Sequence, residues 1–291
     1  MAILKKPPWL KKRLPPFQDI LQVKSILSEG SLHTVCEEAR CPNLGECFAK
    51  GTATILILGK TCTRHCGFCA VEHGLPAPLE VKEPDEVAIA VKKMGLRYVV
   101  LTSVTRDDLP DGGASVYART IRTIREVGRN IKIEVLIPDF KGDPLALKAV
   151  LEECPDVLNH NVETVPRLYP EVRPQAEYRR SLELLERAKR EAPPIFTKSG
   201  LMLGLGEDRR EVLDLLKDLR AVGCDFITIG QYLQPRQDRL PVVRYIPPEA
   251  FEEYKQIAEA MGFRGVASGP FVRSSFHASQ LFEGSTHCNG D

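Results

Sequence analysis

The sequence predicts an α/β fold built from six strand–helix units in succession, arranged as a parallel barrel or wound sheet. After about residue 53, short β-rich runs alternate with longer helical patterns. Runs such as YVVLTSV and DFITIG are apolar on both faces, which is typical of parallel strands covered by helices. Gly95, Gly128 and Gly223 stand where three of the helices should end. Because six units are two fewer than a closed eightfold barrel has, we predict an open, partial (β/α)6 barrel.

The hydrophobic pattern places each element in turn. It predicts strands at Thr54–Leu58, Arg97–Thr102, Ile131–Ile137, Val157–Val162, Gly200–Leu205 and Phe226–Gln231. It predicts helices at Asp85–Met94, Ala114–Val127, Pro144–Glu152, Tyr178–Arg190, Arg209–Val222 and Pro248–Met261. Before them lie one further helical pattern, Phe17–Leu27, and a cysteine-rich segment, and Gly269–Asp291 is predicted to be a loop-like tail. We therefore expect an N-terminal extension over residues 1–52, a barrel over 53–262 and a C-terminal segment over 263–291.

Length and composition indicate an ordinary globular protein. The 291 residues are 43% hydrophobic and 27% charged, enough for a sizeable core in one large domain or two small ones. A net charge of +1 gives no reason to expect nucleic acid or an anionic membrane as a partner, and no apolar run approaches the length of a spanning helix. The basic N-terminus contains prolines that would break an amphipathic targeting helix, so we expect a cytoplasmic protein.

The cysteines are clustered along the chain. Six of the nine lie between Cys36 and Cys69, in a sequence without a recognisable secretory signal. Clustered thiols in a reducing compartment favour a metal or cofactor site over a disulfide scaffold. Cys154 and Cys224 follow helical patterns and are expected to be small buried hydrophobic residues.

The strongest motif is Cys62-Thr-Arg-His-Cys66-Gly-Phe-Cys69, which follows the first predicted strand. A tight loop with this spacing can turn three thiolates toward one centre, and a four-iron cluster ordinarily takes four cysteines. Three cysteines leave one iron open for a small molecule, just as catalytic zinc sites keep an open position. A zinc site completed by His65 or His73 is the alternative.

This triad, with Phe68 before its last cysteine, resembles the signature of the radical S-adenosylmethionine (SAM) superfamily. The resemblance implies a [4Fe-4S] cluster on the three cysteines, whose open iron is chelated by the amino and carboxylate groups of SAM. It also implies that one electron from the cluster cleaves SAM to methionine and a 5′-deoxyadenosyl radical. The SAM-binding residues that we expect from it are Phe68, Thr102, Ser103, Glu163 and Arg173.

A second triad, Cys36-x4-Cys41-x5-Cys47, lies immediately upstream of the first. Its spacing alone also fits a structural zinc or a few buried thiols. Beside the first triad, however, it resembles the lipoyl synthase family, whose auxiliary [4Fe-4S] cluster takes its fourth ligand from a serine in a C-terminal Arg-Ser-Ser-Tyr motif. The ligands that the resemblance implies here are Cys36, Cys41, Cys47 and Ser274.

The C-terminal motif of this chain is RSSF at residues 273–276, with Phe276 in place of the usual tyrosine. The change puts any role of the tyrosine hydroxyl in doubt but leaves both serines in place. The resemblance also covers other segments along nearly the whole chain: KPPWL at 6–10, TSVTRDDLPDGG at 102–113, NHNVET at 159–164, KSGLMLGLGE at 198–207 and GQYLQP at 230–235.

Radical chemistry suits an unactivated methylene, because acid–base side chains alone cannot break its C–H bonds. The resemblance implies that two SAM molecules are used and that sulfur from a sacrificial auxiliary cluster enters at carbons 6 and 8 of a protein-bound octanoyl-lysine. No acid–base catalytic residue is predicted. The implied partners are octanoylated lipoyl domains of 2-oxoacid dehydrogenases and the glycine-cleavage H protein, with ferredoxin or flavodoxin as electron donor. We expect a monomer, in which Lys11, Lys12 and Arg13 help to dock these acidic domains.

Other interpretations remain open at this point. Arg106, Asp107 and Asp108 either orient a loop or form a solvated charge run, and Lys198 either meets a substrate or SAM carboxylate or is a surface lysine. A different sulfur-inserting radical SAM enzyme should lack the second triad and the Arg-Ser-Ser motif. An electron carrier with two clusters would need four cysteines for each cluster. A structural zinc protein would be colourless.

Overall fold

The computed structural model describes residues 5–12 and 15–286, which fold into two compact units. The N-terminal unit comprises residues 15–65 and Ala70–Leu158, and the C-terminal unit comprises residues 5–12, Cys66–Cys69 and the described residues from Asn159 onward. Arg13, one of the three predicted docking residues, lies outside the described residues. The functional division into residues 1–52, 53–262 and 263–291 stays a prediction.

The N-terminal unit carries a sheet whose strands lie in the order β1-β2-β5-β6-β7. Strands β2, β5 and β6 are parallel, β1 is antiparallel to β2, and β3 and β4 form a separate parallel pair. The elements are α1 Phe17–Glu29, β1 His33–Thr34, α2 Val35–Glu38, α3 Leu44–Ala49, β2 Thr54–Ile57, β3 Thr61–Cys62, β4 Glu72–His73, α4 Glu83–Lys93, β5 Tyr98–Ser103, α5 Ala114–Val127, β6 Lys132–Leu136, α6 Pro144–Leu151 and β7 Val157–Asn159.

In the C-terminal unit, β8, β9 and β10 are parallel neighbours. Helices α9 and α10 connect them in sequence, as the crossover of a parallel sheet requires. The elements are α7 Tyr169–Val172, α8 Tyr178–Glu191, β8 Phe196–Leu203, α9 Arg209–Ala221, β9 Phe226–Gln231, α10 Pro248–Ala260, β10 Gly265–Gly269 and α11 Ala278–Thr286.

Local sequence explains where these elements form. Helix α9 begins at a capping box, in which Asp208 Oδ1 accepts from the Glu211 backbone at 2.9 Å and Glu211 Oε2 accepts from the Asp208 backbone at 2.8 Å. Asp143 caps α6 ahead of Pro144 at its first position, where the missing N–H costs nothing. All six residues of β9 are buried, which explains why its sequence is apolar on both faces.

Each predicted strand and helix of the six units is present, with ends displaced by a few residues. The loop-like tail predicted for Gly269–Asp291 is wrong in part, because Ala278–Thr286 forms α11. Ala278 and Phe282, one turn apart, are both buried, and the polar and small residues that follow Phe282 hid this short amphipathic pattern. The burial predicted for Cys154 is also wrong: it is exposed, at φ 49°, just after α6, whereas Cys224 is buried as predicted.

None of the helices within residues 5–12 and 15–286 has both the length and the apolar character needed to cross a membrane.

Candidate functional site

The chain turns sharply between β2 and the first cysteine of the CxxxCxxC motif. Leu58 and Gly59 both adopt the left-handed conformation, at φ 69° and 82°. The Glu83 carboxylate holds this turn by accepting hydrogen bonds from the Leu58 and Gly59 backbone N–H groups at 2.8 and 3.4 Å. Burial raises the pKa of Glu83, although these two hydrogen bonds oppose the rise. The turn leads directly into β3, which ends on Cys62.

Backbone N–H groups surround the Cys62 thiol. Arg64 and Thr105 each donate a backbone N–H to Cys62 Sγ at 3.4 Å. Thr63 fixes the same loop to the segment after β5, since its N–H and its hydroxyl both donate to the Thr105 carbonyl at 3.0 Å. Donors of this kind stabilise negative charge on sulfur, so this thiol is suited to serve as a thiolate ligand.

The charged run after β5 orients this loop. Arg106 is 3% exposed, pairs with Asp108 through two nitrogens and donates to the Leu58 carbonyl at 3.2 Å. Asp107 accepts two hydrogen bonds from the Arg64 guanidinium, at 2.7 and 3.0 Å. The interpretation as a solvated charge run is therefore wrong for Arg106 and Asp107, whereas Asp108 is exposed.

Cys66 and Cys69 belong to the C-terminal unit. The loop between them is anchored by Gly67, whose N–H donates to the Val172 carbonyl at 2.9 Å and whose carbonyl accepts from the Leu240 N–H at 3.0 Å. Both thiols are half-buried, as is the side chain of Phe68. A glycine is needed between these cysteines because a Cβ would lie 2.9 Å from the Glu171 carbonyl oxygen.

The upstream triad occupies two short helices and the turn between them. Cys36 lies in α2, Cys47 lies in α3, and the Cys41 N–H donates to the Cys36 carbonyl at 3.0 Å. Burial raises the pKa of Cys36 to about 12, and the neighbouring Cys41 and Cys47 charges add to the rise. A thiol with a pKa this high stays protonated at neutral pH unless a bound cation stabilises its thiolate.

In the C-terminal unit, Asn161 connects two predicted site residues. Its Nδ2 group donates to Glu163 Oε1 at 3.0 Å and to Ser274 Oγ at 2.6 Å. Glu163 is left-handed at φ 65°, and it is held there because its N–H donates to the Gly200 carbonyl and its carbonyl accepts from the Met202 N–H. Burial raises the pKa of Glu163, against the lowering effect of the Arg173 charge.

The remaining predicted SAM-binding residues have the following environments. The Arg173 guanidinium is buried and donates to the Asn161 carbonyl at 2.8 Å and to the Tyr169 hydroxyl at 3.2 Å. The Thr102 hydroxyl donates to the Leu136 carbonyl at 3.0 Å. Ser103 ends β5, with its Oγ buried. Lys198 is 1% exposed, so its interpretation as a surface lysine is wrong.

Ser103 Oγ, Asn161 Oδ1 and Thr164 Oγ1 are among the buried oxygens that have no hydrogen-bond partner within residues 5–12 and 15–286. Buried polar atoms are normally satisfied, so such atoms indicate a polar ligand or water. Ser103 ends β5 and is itself a predicted SAM-binding residue, and Asn161 contacts another, Glu163. The amino and hydroxyl groups of SAM are suitable donors for acceptors of this kind. The residues present therefore fit this cofactor.

The eight described cysteines are thiols and form no disulfide with one another. Within the described part of the chain, no three His, Cys, Asp or Glu side chains lie close enough together to hold a single metal ion. The ligands of a [4Fe-4S] cluster lie farther apart than those of a single metal ion, because each cysteine binds a different iron. The six clustered thiols suit such a cluster by type, and their assignment as ligands stays a prediction.

Two residues of this site were missed by the sequence analysis. Asn161 lies inside the NHNVET segment, but only its side-chain contacts distinguish it from its neighbours. Arg64 lies between two cysteines of the motif, and a charged residue at that place is ordinarily taken to be solvated. Arg64 is only 6% exposed in the structure, and nothing in the sequence indicates this burial.

Comparison with known proteins now identifies the class. The profile of the Radical SAM superfamily matches residues 56–219. Streptococcus suis SuiB bound to S-adenosylmethionine has a TM-score of 0.58 at 11% identity, over 77% of this chain and 53% of that one. Coproporphyrinogen III oxidase from Escherichia coli, a radical SAM enzyme, has a TM-score of 0.52 at 14% identity, over 77% and 57%. The chain has the radical SAM fold, which confirms the predicted fold class, and superfamily membership brings a [4Fe-4S] cluster and SAM as cofactors.

Full-length relatives narrow the class to one family. The profile of the N-terminal domain of lipoyl synthase matches residues 2–41. Lipoyl synthase of Rubrobacter xylanophilus is 56% identical over 278 residues, which are 96% of this chain and 87% of that protein. Lipoyl synthase of Caldicellulosiruptor saccharolyticus is 55% identical over 280 residues, 96% and 98% of the two chains. The chain belongs to the lipoyl synthase family, a family of sulfur-transferring radical SAM enzymes.

Proposed function

We propose that this chain inserts two sulfur atoms at carbons 6 and 8 of an octanoyl-lysine on a lipoyl carrier domain. The observation that carries the proposal is the identity of about 55% with lipoyl synthases over nearly the whole chain. The matched relatives share both the barrel and the extensions, so the similarity is not limited to the common superfamily fold.

The proposed ligand sets follow the two triads. Cys62, Cys66 and Cys69 hold the cluster that binds SAM. Cys36, Cys41 and Cys47, with Ser274, hold the auxiliary cluster. The N–H donors around Cys62 support the first assignment, since they stabilise negative charge on that sulfur.

When bound, SAM and its cluster supply a hydrogen-abstracting radical, and the auxiliary cluster supplies sulfide. The protein has the task of positioning, because a radical reacts with whatever C–H bond lies nearest. Ser103 Oγ and Asn161 Oδ1 offer buried acceptors to SAM, and Phe68 offers backbone or ring contact to its adenine. Glu163 and Arg173 provide a carboxyl and a guanidinium group for its polar end.

Ser274 is suited to be a ligand that iron releases readily. A serine oxygen suits soft, sulfide-bridged iron less well than a thiolate does. Asn161 already donates to this oxygen at 2.6 Å, and a donor on a ligand atom competes with iron for its electron density. The phenylalanine at 276 removes a hydroxyl from this motif and leaves the Asn161–Ser274 contact intact.

The partners belong to the same proposal. Octanoylated lipoyl domains of 2-oxoacid dehydrogenases and the glycine-cleavage H protein would present the substrate, and a ferredoxin or flavodoxin would supply electrons to a monomeric, cytoplasmic enzyme. Lys11 and Lys12 are described residues of the N-terminal segment that could meet an acidic carrier. Lys12 also lies 4.6 Å over the Phe271 ring and 5.0 Å over the Phe276 ring, so its ammonium group contributes to packing as well.

The test uses anaerobically reconstituted protein with SAM, dithionite and an octanoyl-lysine peptide, followed by mass spectrometry of the peptide. We expect the wild type to add two sulfur atoms. Ser274→Ala should cleave SAM but add sulfur at least about tenfold more slowly, the usual scale for losing a metal-site group. Ser275→Ala is the matched control and should behave as the wild type does. Wild-type SAM cleavage without peptide modification would contradict the proposed function, and equal loss in both serine variants would contradict the ligand assignment.

A further inference from the structure

Arg64 lies inside the CxxxCxxC motif, yet its side chain points into the protein. The residue is 6% exposed, and its guanidinium contacts two carboxylates of the N-terminal unit. Nε and NH2 donate to the two Asp107 oxygens at 2.7 and 3.0 Å, and NH2 donates to Asp139 Oδ1 at 2.6 Å. This bidentate fork is a geometry that arginine makes and lysine cannot.

Both carboxylates are themselves anchored. Asp139 is 1% exposed, and its Oδ1 also accepts from the Lys141 backbone N–H at 3.1 Å, which fixes it after β6. The Asp107 N–H donates to the Thr63 hydroxyl at 3.0 Å, and its carbonyl accepts from Lys141 Nζ at 2.9 Å. Arg64 therefore ties the cysteine loop to the segments that follow β5 and β6.

The two joined loops contact the Cys62 sulfur through their backbone N–H groups. The Arg64 and Thr105 N–H groups donate to Cys62 Sγ at 3.4 Å, one from each side of the joined loops. Hydrogen bonds to cluster sulfurs are among the factors that set a cluster's reduction potential. Reduction adds negative charge, so donors at the sulfur favour the reduced state.

We propose that Arg64 is a positioning residue that holds these two N–H donors on Cys62 Sγ and so raises the reduction potential of the cluster bound by the CxxxCxxC motif. The inference rests on the proposed ligand role of Cys62. The Arg64 guanidinium pairs with the two aspartates, and it acts on the sulfur through the loops that it joins. Its positive charge is paired with the two aspartates, and a lysine would keep that charge. Arg64→Lys therefore changes mainly the hydrogen-bond geometry.

The test is a redox titration of the full-length, reconstituted protein, followed by electron paramagnetic resonance. The signal that changes on addition of SAM identifies the SAM-binding cluster and separates it from the auxiliary cluster. Arg64→Lys keeps the positive charge but loses the fork. We expect its reduced-to-oxidised ratio at a fixed potential to fall about tenfold, which corresponds to a midpoint about 59 mV lower for one electron. Arg167→Lys, at an exposed bidentate pair with Glu211, is the control and should leave the midpoint unchanged.

A second variant is used in case Arg64→Lys does not retain the cluster. If Arg64→Lys fails to retain iron, Asp139→Glu decides the question, because it keeps the negative charge and the bidentate pair with Asp107 while displacing the carboxylate that NH2 contacts. A smaller shift of the midpoint in the same direction supports the inference. Full iron content with an unchanged midpoint in the variant that retains the cluster would overturn it. A lower midpoint in a protein that never modifies the octanoyl peptide would leave this inference standing while the proposed function fails.

Discussion

Gly67 shows how closely the backbone packs around the cysteine loop. It is the residue between Cys66 and Phe68, and both its N–H and its carbonyl are used by other segments of the C-terminal unit. A Cβ at this position would lie 2.8 Å from Leu240 Cδ1 and 2.9 Å from a backbone oxygen. The oxygen belongs to the main chain, so it cannot move aside as a flexible side chain can.

Gly67→Ala is therefore expected to lower the free energy of unfolding by about 1–3 kcal/mol, the usual cost of overpacking. It should also lower SAM cleavage, since Cys66 and Cys69 would shift with the loop. Gly284→Ala in α11 is the control, because a Cβ there meets no atom within 4 Å. Chemical denaturation of both variants measures the difference. Equal stability of the two variants would contradict the close packing described for Gly67.

Contacts between distant residues are what the sequence could not predict. Cysteine spacing indicated the first triad, because thiols that lie close along the chain can be turned toward one centre. The second triad was predicted from its place beside the first and from the resemblance. The hydrogen bond between Asn161 and Ser274 joins residues 113 positions apart, and nothing local to either residue indicates it. Ser274 entered the predicted site through resemblance alone, and Asn161 entered only with the structure.

At the scale of elements, Asp156 fixes the junction between β6 and β7. Its carboxylate accepts from Lys132 Nζ, from the Arg125 guanidinium and from the Ile133 N–H at 2.8, 2.8 and 2.9 Å. Burial on its own raises the pKa of Asp156, but these hydrogen bonds outweigh it and hold the pKa below the ordinary value. A carboxyl group whose pKa is lowered by folding stabilises the protein only while it is ionised.

Asp156→Asn should consequently cost about 2 kcal/mol of unfolding free energy at neutral pH, the scale of hydrogen bonds to a charged group. The sign follows from the lowered pKa: the contribution is complete above the unfolded-state pKa of about 4 and is lost as the pH falls through the native pKa. Denaturation curves from pH 7 down to about pH 2 should show the two proteins converging. A gap that stays constant on acidification would contradict this assignment. Asp85→Asn, at an exposed pair with Arg119, should change stability by less than about 1 kcal/mol.

The ends of uniformly buried strands could be predicted closely. The ends of elements that form the candidate site could be predicted less closely. Strands β2, β5 and β9 were predicted almost to the residue, because parallel strands are apolar on both faces. The fourth predicted strand, Val157–Val162, ends early at Asn159. Beyond it, residues 160–162 have no regular structure and lead to the left-handed Glu163, which hydrophobic periodicity does not report.

At the scale of the whole molecule, the alternation of strands and helices was enough to predict the fold class. The structural neighbours share only 11% and 14% identity with this chain, so that class is carried by pattern and topology and not by particular residues. Function is carried by particular residues on that fold. On the proposed ligand roles, single substitutions in the two triads or at Ser274 should separate SAM cleavage from sulfur insertion.

The most direct test of the central claim compares Cys62→Ala with Cys36→Ala. Both variants are reconstituted anaerobically, supplied with SAM, dithionite and octanoyl-lysine peptide, and assayed for 5′-deoxyadenosine and for sulfur in the peptide. We expect Cys62→Ala to produce neither, and Cys36→Ala to produce deoxyadenosine without adding sulfur. Sulfur insertion by Cys36→Ala at the wild-type rate, or deoxyadenosine formation by a Cys62→Ala protein, would contradict the account of two clusters with separate tasks.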